Sequence, residues 1–541
     1  MSKSRKYDLP PETDYILLYT FLYKYCSDVI KDYLSIELAD KEVTIDESYK
    51  NDAYQEIISF DSLKLNGFYI KKSDAFIEEV VNDNYLKSGF LSYFLKVFPE
   101  NVKFSSEYHN LEYFEDFFKT IDEIDAFKFD EKEAQDVGEL VYMISQLNVF
   151  ENVLEFKDVF NILSASRLMH ISSNPEYITQ ILTKIILTEK KSIESAYDPF
   201  IKDGESIMKL YESIGYDLGY CYGKDATKLN YHYTIVKFFI NNFTLNNVYL
   251  KHEDALDSID INGTSFDVIL SRIPIAIKNY YSSNINQNRE ILKRSKRSEL
   301  EDLLLKKFGM DGDSFKQDAE LNNALENLVD KIKIENDSAI DFTGQYESLR
   351  DSEFLFLLNL VDSLKNGGIM AISISENFLF KQSLEILRKY LTYEKNYIDA
   401  IIRIPNEIDR SRSEVVIICR KHRADKDILF IDLSSDYETK RSRRVYPGLF
   451  RKNLILDDAT ISKMENVYLN RISKPKFSNV ISIDEIKDND FNLSVSRYVD
   501  TFEGDFISLE QVVKEKQEID SNIEELNLKI KKMMDELNIR F

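Results

Sequence analysis

Between about residues 166 and 435, short β-rich runs alternate with segments of helical period, and no other feature of the chain limits its fold so strongly. The runs are SAYD, LGYCYG, NVYL, FDVILS, IMAISI, YIDAIIRI, EVVIICR and ILFIDL, and amphipathic helices such as Thr227 to Phe243 and Glu353 to Leu364 lie among them. Alternation of this kind predicts an α/β domain with a doubly wound, largely parallel sheet. Ligands of such a sheet sit at the carboxyl ends of its strands. Tyr397 to Ile404 and Glu414 to Arg420 are joined by PNEIDRSRS, which leaves no room for a crossover helix. One strand must therefore run antiparallel.

The flanks have a different character. TDYILLYTFLYKYCSDVIKDYL, Thr13 to Leu34, repeats apolar residues at helical spacing, and the aromatic, acidic style continues. An all-helical N-terminal domain over 1–165 is expected, followed by the α/β domain over 166–435 with a charged, helix-forming insertion at 280–349. That insertion follows a candidate active-site strand, where a lid or a nucleic-acid-contacting element would lie. A C-terminal extension, 436–508, leads to a heptad helix over 509–541, with Val512, Lys516, Ile519, Ile523, Leu526, Ile530, Met533 and Leu537 at alternating steps of three and four. A lone helix of this length is marginal in water, so a partner helix in this chain or another is expected.

Composition excludes some chemistry. The three cysteines, Cys26, Cys221 and Cys419, are scattered without CxxC spacing, and the five histidines do not cluster. Disulfides, zinc and other metal sites are not expected. Nor is a membrane span, because no run of apolar residues is long enough. MSKSRKYDLPPETD has no apolar core for a signal peptide, so a cytoplasmic location is expected. The formal charge of -24 repels a polyphosphate unless basic residues gather on one face or a partner supplies them. REILKRSKR, Arg289 to Arg297, and KRSRRVYPGLFRK, Lys440 to Lys452, are the candidate patches, with solvated surface as the competing reading.

Three strand ends carry carboxylates. In SAYDPFIKDGES a strand ends at Asp198-Pro199, a loop with Gly204 follows, and Ile207, Leu210, Tyr211 and Ile214 then pattern a helix. The next strand ends at Gly223-Lys224-Asp225, and the third in Lys251-His252-Glu253-Asp254. Each alone is an ordinary cap or turn residue. Together they suit an adenosine-containing ligand, whose ribose hydroxyls need acceptors and whose polar groups favour a helix N-terminus.

On these residues the middle of the chain resembles the class I S-adenosylmethionine-dependent methyltransferase fold in its adenine-specific DNA form, and within it the modification subunits of type I restriction-modification systems. DYILLYTFLYKYCSD, YGKDATKLN, SLKNGGIMAISISENFLF, YIDAIIRIP and FNLSVSRYVDTFE resemble segments of that family nearly end to end. The resemblance implies adenine-N6 methylation of DNA from S-adenosylmethionine. It places Asp198, Pro199 and Gly204 on the cofactor loop, Asp225 on the ribose and Asp254 near the cofactor's adenine. It also implies a specificity subunit, and with it a restriction subunit, as partners, double-stranded DNA bound within the complex, and docking of the C-terminal helix in a hetero-oligomeric bundle.

The departures are as specific as the matches. The family's DPxCGSGG-like loop has glycines where this chain has Lys202 and Glu205, whose side chains would crowd or fill the space. Upstream, the segment that often reads YYTP is SSNP, Ser172 to Pro175, and the hairpin has Asp409 to Ser413 in place of a small-residue turn. The catalytic NPPF motif reads Arg272-Ile273-Pro274-Ile275. In the family the asparagine oxygen and the proline carbonyl accept from the target amino group, and the aromatic stacks on the flipped base. Arginine has no acceptor. Losing one transition-state hydrogen bond costs ~3–4 kcal/mol, and losing base stacking costs another ~1–3 kcal/mol. Set against the family's motif, the departures imply a subunit that has lost, or nearly lost, methyl transfer, with Arg272 in a surface ion pair or recruited to bind phosphate. Two alternatives stand beside it: an active adenine methyltransferase using the Ile273 carbonyl with Tyr280 or Tyr281, and a nucleotide-sensing or protein-binding module without DNA.

Overall fold

The computed structural model describes residues 9–105, 111–150, 156–161, 170–243, 245–255, 265–273, 360–405, 413–434, 438–441 and 452–500, with position 357 and scattered positions between 514 and 529. Pro274, Ile275, Tyr280, Tyr281, the 280–349 insertion, the Arg289–Arg297 patch, residues 409–412 and most of the Lys440–Lys452 patch lie outside the described residues, as does much of the heptad helix.

Among the described residues, thirteen strands are numbered in chain order. β1 (Phe68–Ile70) and β2 (Val102–Phe104) pair antiparallel in the N-terminal region. The main sheet contains β3 (Ile193–Asp198), β4 (Leu218–Asp225), β5 (Val248–His252), β6 (Phe266–Arg272), β7 (Leu364–Ser375), β8 (Ile398–Arg403), β9 (Glu414–Arg420), β10 (Ile428–Asp432) and β13 (Ser478–Ile481). β11 (Glu438–Arg441) and β12 (Lys452–Ile455) form a separate antiparallel pair.

The order across the main sheet is β13-β10-β8-β9-β7-β6-β3-β4-β5. β5, β4, β3, β6 and β7 are mutually parallel, whereas β9 is antiparallel to both β7 and β8. The hairpin expected from PNEIDRSRS is thus present. Strand order reverses between β3 and β6, and at such a switch point the two sets of connections part and open a crevice at the carboxyl ends.

Alternate residues of each strand feed two cores. Val268, Leu270, Ala371, Ala400 and Ile402 join one face with the N-terminal helices and the Glu176–Glu189 helix. Ile269, Met370, Ile372, Ile401 and Ile417 join the other with Phe491, Leu493, Val495 and Tyr498 of the C-terminal extension. Burial on both faces explains why these strands read as unbroken apolar runs. β13 adds an antiparallel edge against β10 that the alternation did not reveal.

The N-terminal region is mainly helical, as expected, led by a helix over Glu12–Leu38. The β1–β2 ladder corrects the all-helical expectation, and its cause is local: Gly67, at φ 77°, stops the Asp52–Asn66 helix and turns the chain into Phe68-Tyr69-Ile70. This region is not free of the sheet. Tyr113 Oη donates to the Val248 carbonyl at 2.9 Å and accepts from the Leu250 amide at 3.1 Å, capping the exposed edge of β5.

Positions 514, 516–521, 523, 524, 526 and 529 are helical, and Ile519, Ile523 and Leu526 are 57%, 49% and 57% exposed. No described helix is long and apolar enough to cross a membrane. Cys26, Cys221 and Cys419 are buried free thiols, and among the described residues no three His, Cys, Asp or Glu side chains gather as a metal would require.

Candidate functional site

The crevice at the β3/β6 switch point is built from four segments: the Asp198–Gly204 loop, the end of β4, the end of β6, and the SSNP segment that enters the Glu176–Glu189 helix. β9 contributes a fifth, because an antiparallel strand begins at the edge where its neighbours finish. Glu414 accordingly pairs in register with Ser375 at the end of β7.

The loop after β3 is held from several sides. Asp198 is fully buried, and its Oδ1 accepts from Ser271 Oγ at 2.7 Å and from the Phe200 amide at 3.1 Å. Its Oδ2 has no hydrogen-bond partner, and burial pushes the carboxyl up to about 6. The Ile201 amide donates to the Lys224 carbonyl, which ties the loop to β4. Gly204, at φ 69°, begins the Glu205–Ile214 helix, and a Cβ there would lie 2.7 Å from both Phe238 and Thr234. Only glycine allows the loop to lie so close to the Lys228–Ile240 helix.

Asp225 ends β4 with both carboxylate oxygens engaged. Oδ1 accepts from the Thr227 amide at 2.8 Å and from Asn230 Nδ2 at 3.2 Å, and Oδ2 accepts from the Lys202 amide at 3.0 Å. Asp254 is buried just beyond β5. Pro199 is buried in the loop. The carboxylates and loop residues expected from the sequence therefore do fall along one edge of the sheet.

Lys202 and Glu205 behave differently from each other. Glu205 turns away to Lys237, whose Nζ donates to Oε2 at 2.5 Å, so it does not crowd the crevice. Lys202 does. Its side chain is buried, its Nζ donates to Asn174 Oδ1 at 2.7 Å and to the Arg272 carbonyl at 3.1 Å, and its own carbonyl accepts from Thr234 Oγ1 at 2.8 Å. Burial, then the neighbouring Arg272 guanidinium, lower its ammonium to about 8.

Arg272 is paired, and the sequence-level expectation of a surface ion pair needs correction because Arg272 and Glu414 are each only 7% exposed. Arg272 Nε donates to Glu414 Oε2 at 2.8 Å, Nη2 donates to Oε1, and Ser373 Oγ donates to Oε2 at 2.7 Å. The fork is bidentate and lies across the ends of β6, β7 and β9. Ile273 is buried, and its amide donates to the Ser373 carbonyl. Glu414, Ser373 and Asn174 were missed in the sequence. The signal for Glu414 was available, since the first residue of an antiparallel strand must lie at the carboxyl edge.

S-adenosylmethionine is the cofactor expected of this fold, and it carries a sulfonium beside an α-ammonium and an α-carboxylate. The residues present do not fit it. Lys202 brings a buried ammonium into the crevice beside Asn174 and the Arg272 carbonyl, and its stem fills space that a glycine would leave open. An asparagine side-chain acceptor is absent at Arg272, whose guanidinium only donates.

Comparison with known proteins agrees with the architecture. Residues 324–505 match the family model described as N-6 DNA Methylase. The chain is 20% identical over 383 residues to the type I restriction enzyme MpnII methylase subunit of Mycoplasma pneumoniae, covering 68% of this chain and 60% of that protein. It is 29% identical over 205 residues to the type I restriction enzyme MjaVII methylase subunit of Methanocaldococcus jannaschii, covering 36% of this chain and 32% of that one. The chain thus matches less than two thirds of the length of either curated relative. Among solved structures, the type I restriction-modification system methyltransferase subunit from Streptococcus thermophilus superposes with a TM-score of 0.65 at 20% identity, over 92% of this chain and 96% of that one. Sheet order, family match and relatives converge: this chain is similar to the methylase subunits of type I restriction enzymes, and it shares the fold of a type I restriction-modification system methyltransferase subunit.

Proposed function

We propose that the chain is a modification subunit in which methyl transfer has lapsed, serving as a structural and DNA-clasping component of a restriction or phage-defence complex. The observation that carries this reading is the buried Arg272–Glu414–Ser373 cluster. At the position where adenine-N6 chemistry needs an acceptor, the chain presents a guanidinium that donates to a neighbouring strand. Double-stranded DNA is then held within the assembly, with the sequence read by a separate specificity subunit and with a restriction subunit as a further partner.

The test is labelled methyl incorporation into DNA by the purified complex. The expected result is none above background. Incorporation abolished by Asp225→Ala would overturn the reading and favour an active adenine methyltransferase, the alternative that the strand-end carboxylates support. Partner docking is proposed to use the heptad helix, whose Ile519, Ile523 and Leu526 face solvent. Replacing Ile523 and Ile530 by Asp should abolish co-purification with the specificity subunit; retained co-purification would exclude this seam.

A further inference from the structure

We propose that the Lys202 side chain is a tethered substitute for the α-ammonium group of the expected cofactor, an internal ligand that occupies its own crevice and holds the bordering loops together. This rests on the lapsed-transfer reading above and names what replaces the cofactor.

Lys202 has φ 52°, a left-handed conformation that a residue with a Cβ adopts only against steric resistance. That conformation aims a flexible stem into the crevice and leaves the backbone amide on Asp225, as a glycine would. Nζ then meets an amide oxygen, Asn174 Oδ1, and a main-chain carbonyl, that of Arg272. Both are neutral oxygen acceptors, which take two of the three donors of an ammonium. A lysine recruited for an ordinary ion pair would instead meet a carboxylate. By this one group the SSNP segment, the β3 loop and the β6 end are joined, and each belongs to a different element around the switch point.

The same crevice holds two buried polar atoms without hydrogen-bond partners, Asp198 Oδ2 and Asn174 Nδ2. One accepts and one donates. The donor matches the carboxylate of a free amino-acid moiety, which lysine lacks, and the acceptor is left over because Lys202 Nζ donates to Asn174 Oδ1 and the Arg272 carbonyl instead. Buried polar groups are ordinarily paired, so the mismatch marks a site shaped for more than it now contains.

The experiment is calorimetric titration of S-adenosylhomocysteine, which lacks the sulfonium charge, into the full-length chain and its Lys202→Gly variant. Saturable binding by the variant with a rise in its melting temperature, and none by the unaltered chain up to millimolar ligand, is expected. A folded variant that binds no better overturns the internal-ligand proposal and leaves the lapsed-transfer reading standing. Saturable binding by the unaltered chain, lost in Asp225→Ala, overturns that reading as well.

Should Lys202→Gly not fold, Lys202→Met keeps the buried stem and removes the ammonium. Combined with Asn174→Ala, its loss of melting temperature should not add to that of the single change. Additive losses would show that the two residues do not act as one contact, and would overturn the proposal.

Discussion

The two ends of the main sheet each hold a buried carboxylate ringed by donors, one where chemistry is expected and one where it is not. At the carboxyl edge Glu414 receives Arg272 in a two-pronged fork together with Ser373. At the opposite edge Asp399, near the start of β8, receives Arg423 Nε at 3.0 Å, Arg471 Nη1 at 3.0 Å and Tyr468 Oη at 3.0 Å. The second cluster has a plainly mechanical task, clamping the Asp458–Asn470 helix and the turn after it onto the sheet. The first is constructed in the same way. A site that must bind and release a substrate keeps groups that can change partners, whereas a staple locks them in place. By this criterion the β6 end resembles the staple.

The comparison breaks most visibly if the two clusters differ in mechanical weight. Glu414→Ala takes the carboxylate away from a buried guanidinium and should destabilise the chain by about 3–5 kcal/mol, while a double change of Arg272 to Met and Glu414 to Leu should cost far less. Asp399→Ala should cost about as much as Glu414→Ala, for the same reason. Urea unfolding midpoints measure all three, and a Glu414→Ala loss below about 1 kcal/mol would separate the two edges. Tyr468→Phe removes one hydrogen bond to a charged group and should cost about 1.5–3 kcal/mol.

Acid titration sharpens the contrast further. Asp198 has its carboxyl raised from 3.8 to about 6, so the folded chain holds this proton more tightly than the unfolded one. Its contribution to stability is therefore fully present below about pH 4 and is lost as pH rises through about 6. Between those two values the loss runs at roughly 1.4 kcal/mol for each step of one in pH. Asp198→Asn preserves an acceptor for Ser271 and should flatten stability against pH across that window. The smallest effect is expected at the β5 edge, where Tyr113→Phe should cost about 1 kcal/mol and speed hydrogen exchange at Leu250.

Most of the sheet was legible in the sequence because burial on both faces writes a strand as an apolar run, and because PNEIDRSRS is too short for a crossover. β13 was not, since Ser-Asn-Val-Ile carries little alternation and acquires its state by pairing with β10. The strand-end carboxylates Asp198, Asp225 and Asp254 were visible from their positions after β-runs. Their partners were not: Glu414 lies 142 residues from Arg272, and Asn174 lies 28 residues from Lys202. Local sequence shows that a cation stands where a glycine or asparagine was expected. Only the strand order shows which oxygen it meets, and that order also turned a supposed surface ion pair into a buried one.

The central claim is that this crevice is filled by the chain's own charges, and titrating S-adenosylmethionine into the purified full-length chain by calorimetry, with Asp225→Ala as control, tests it most directly. No saturable heat up to millimolar cofactor, in a protein shown to be folded, is the predicted result. Saturable binding that disappears in Asp225→Ala would contradict it.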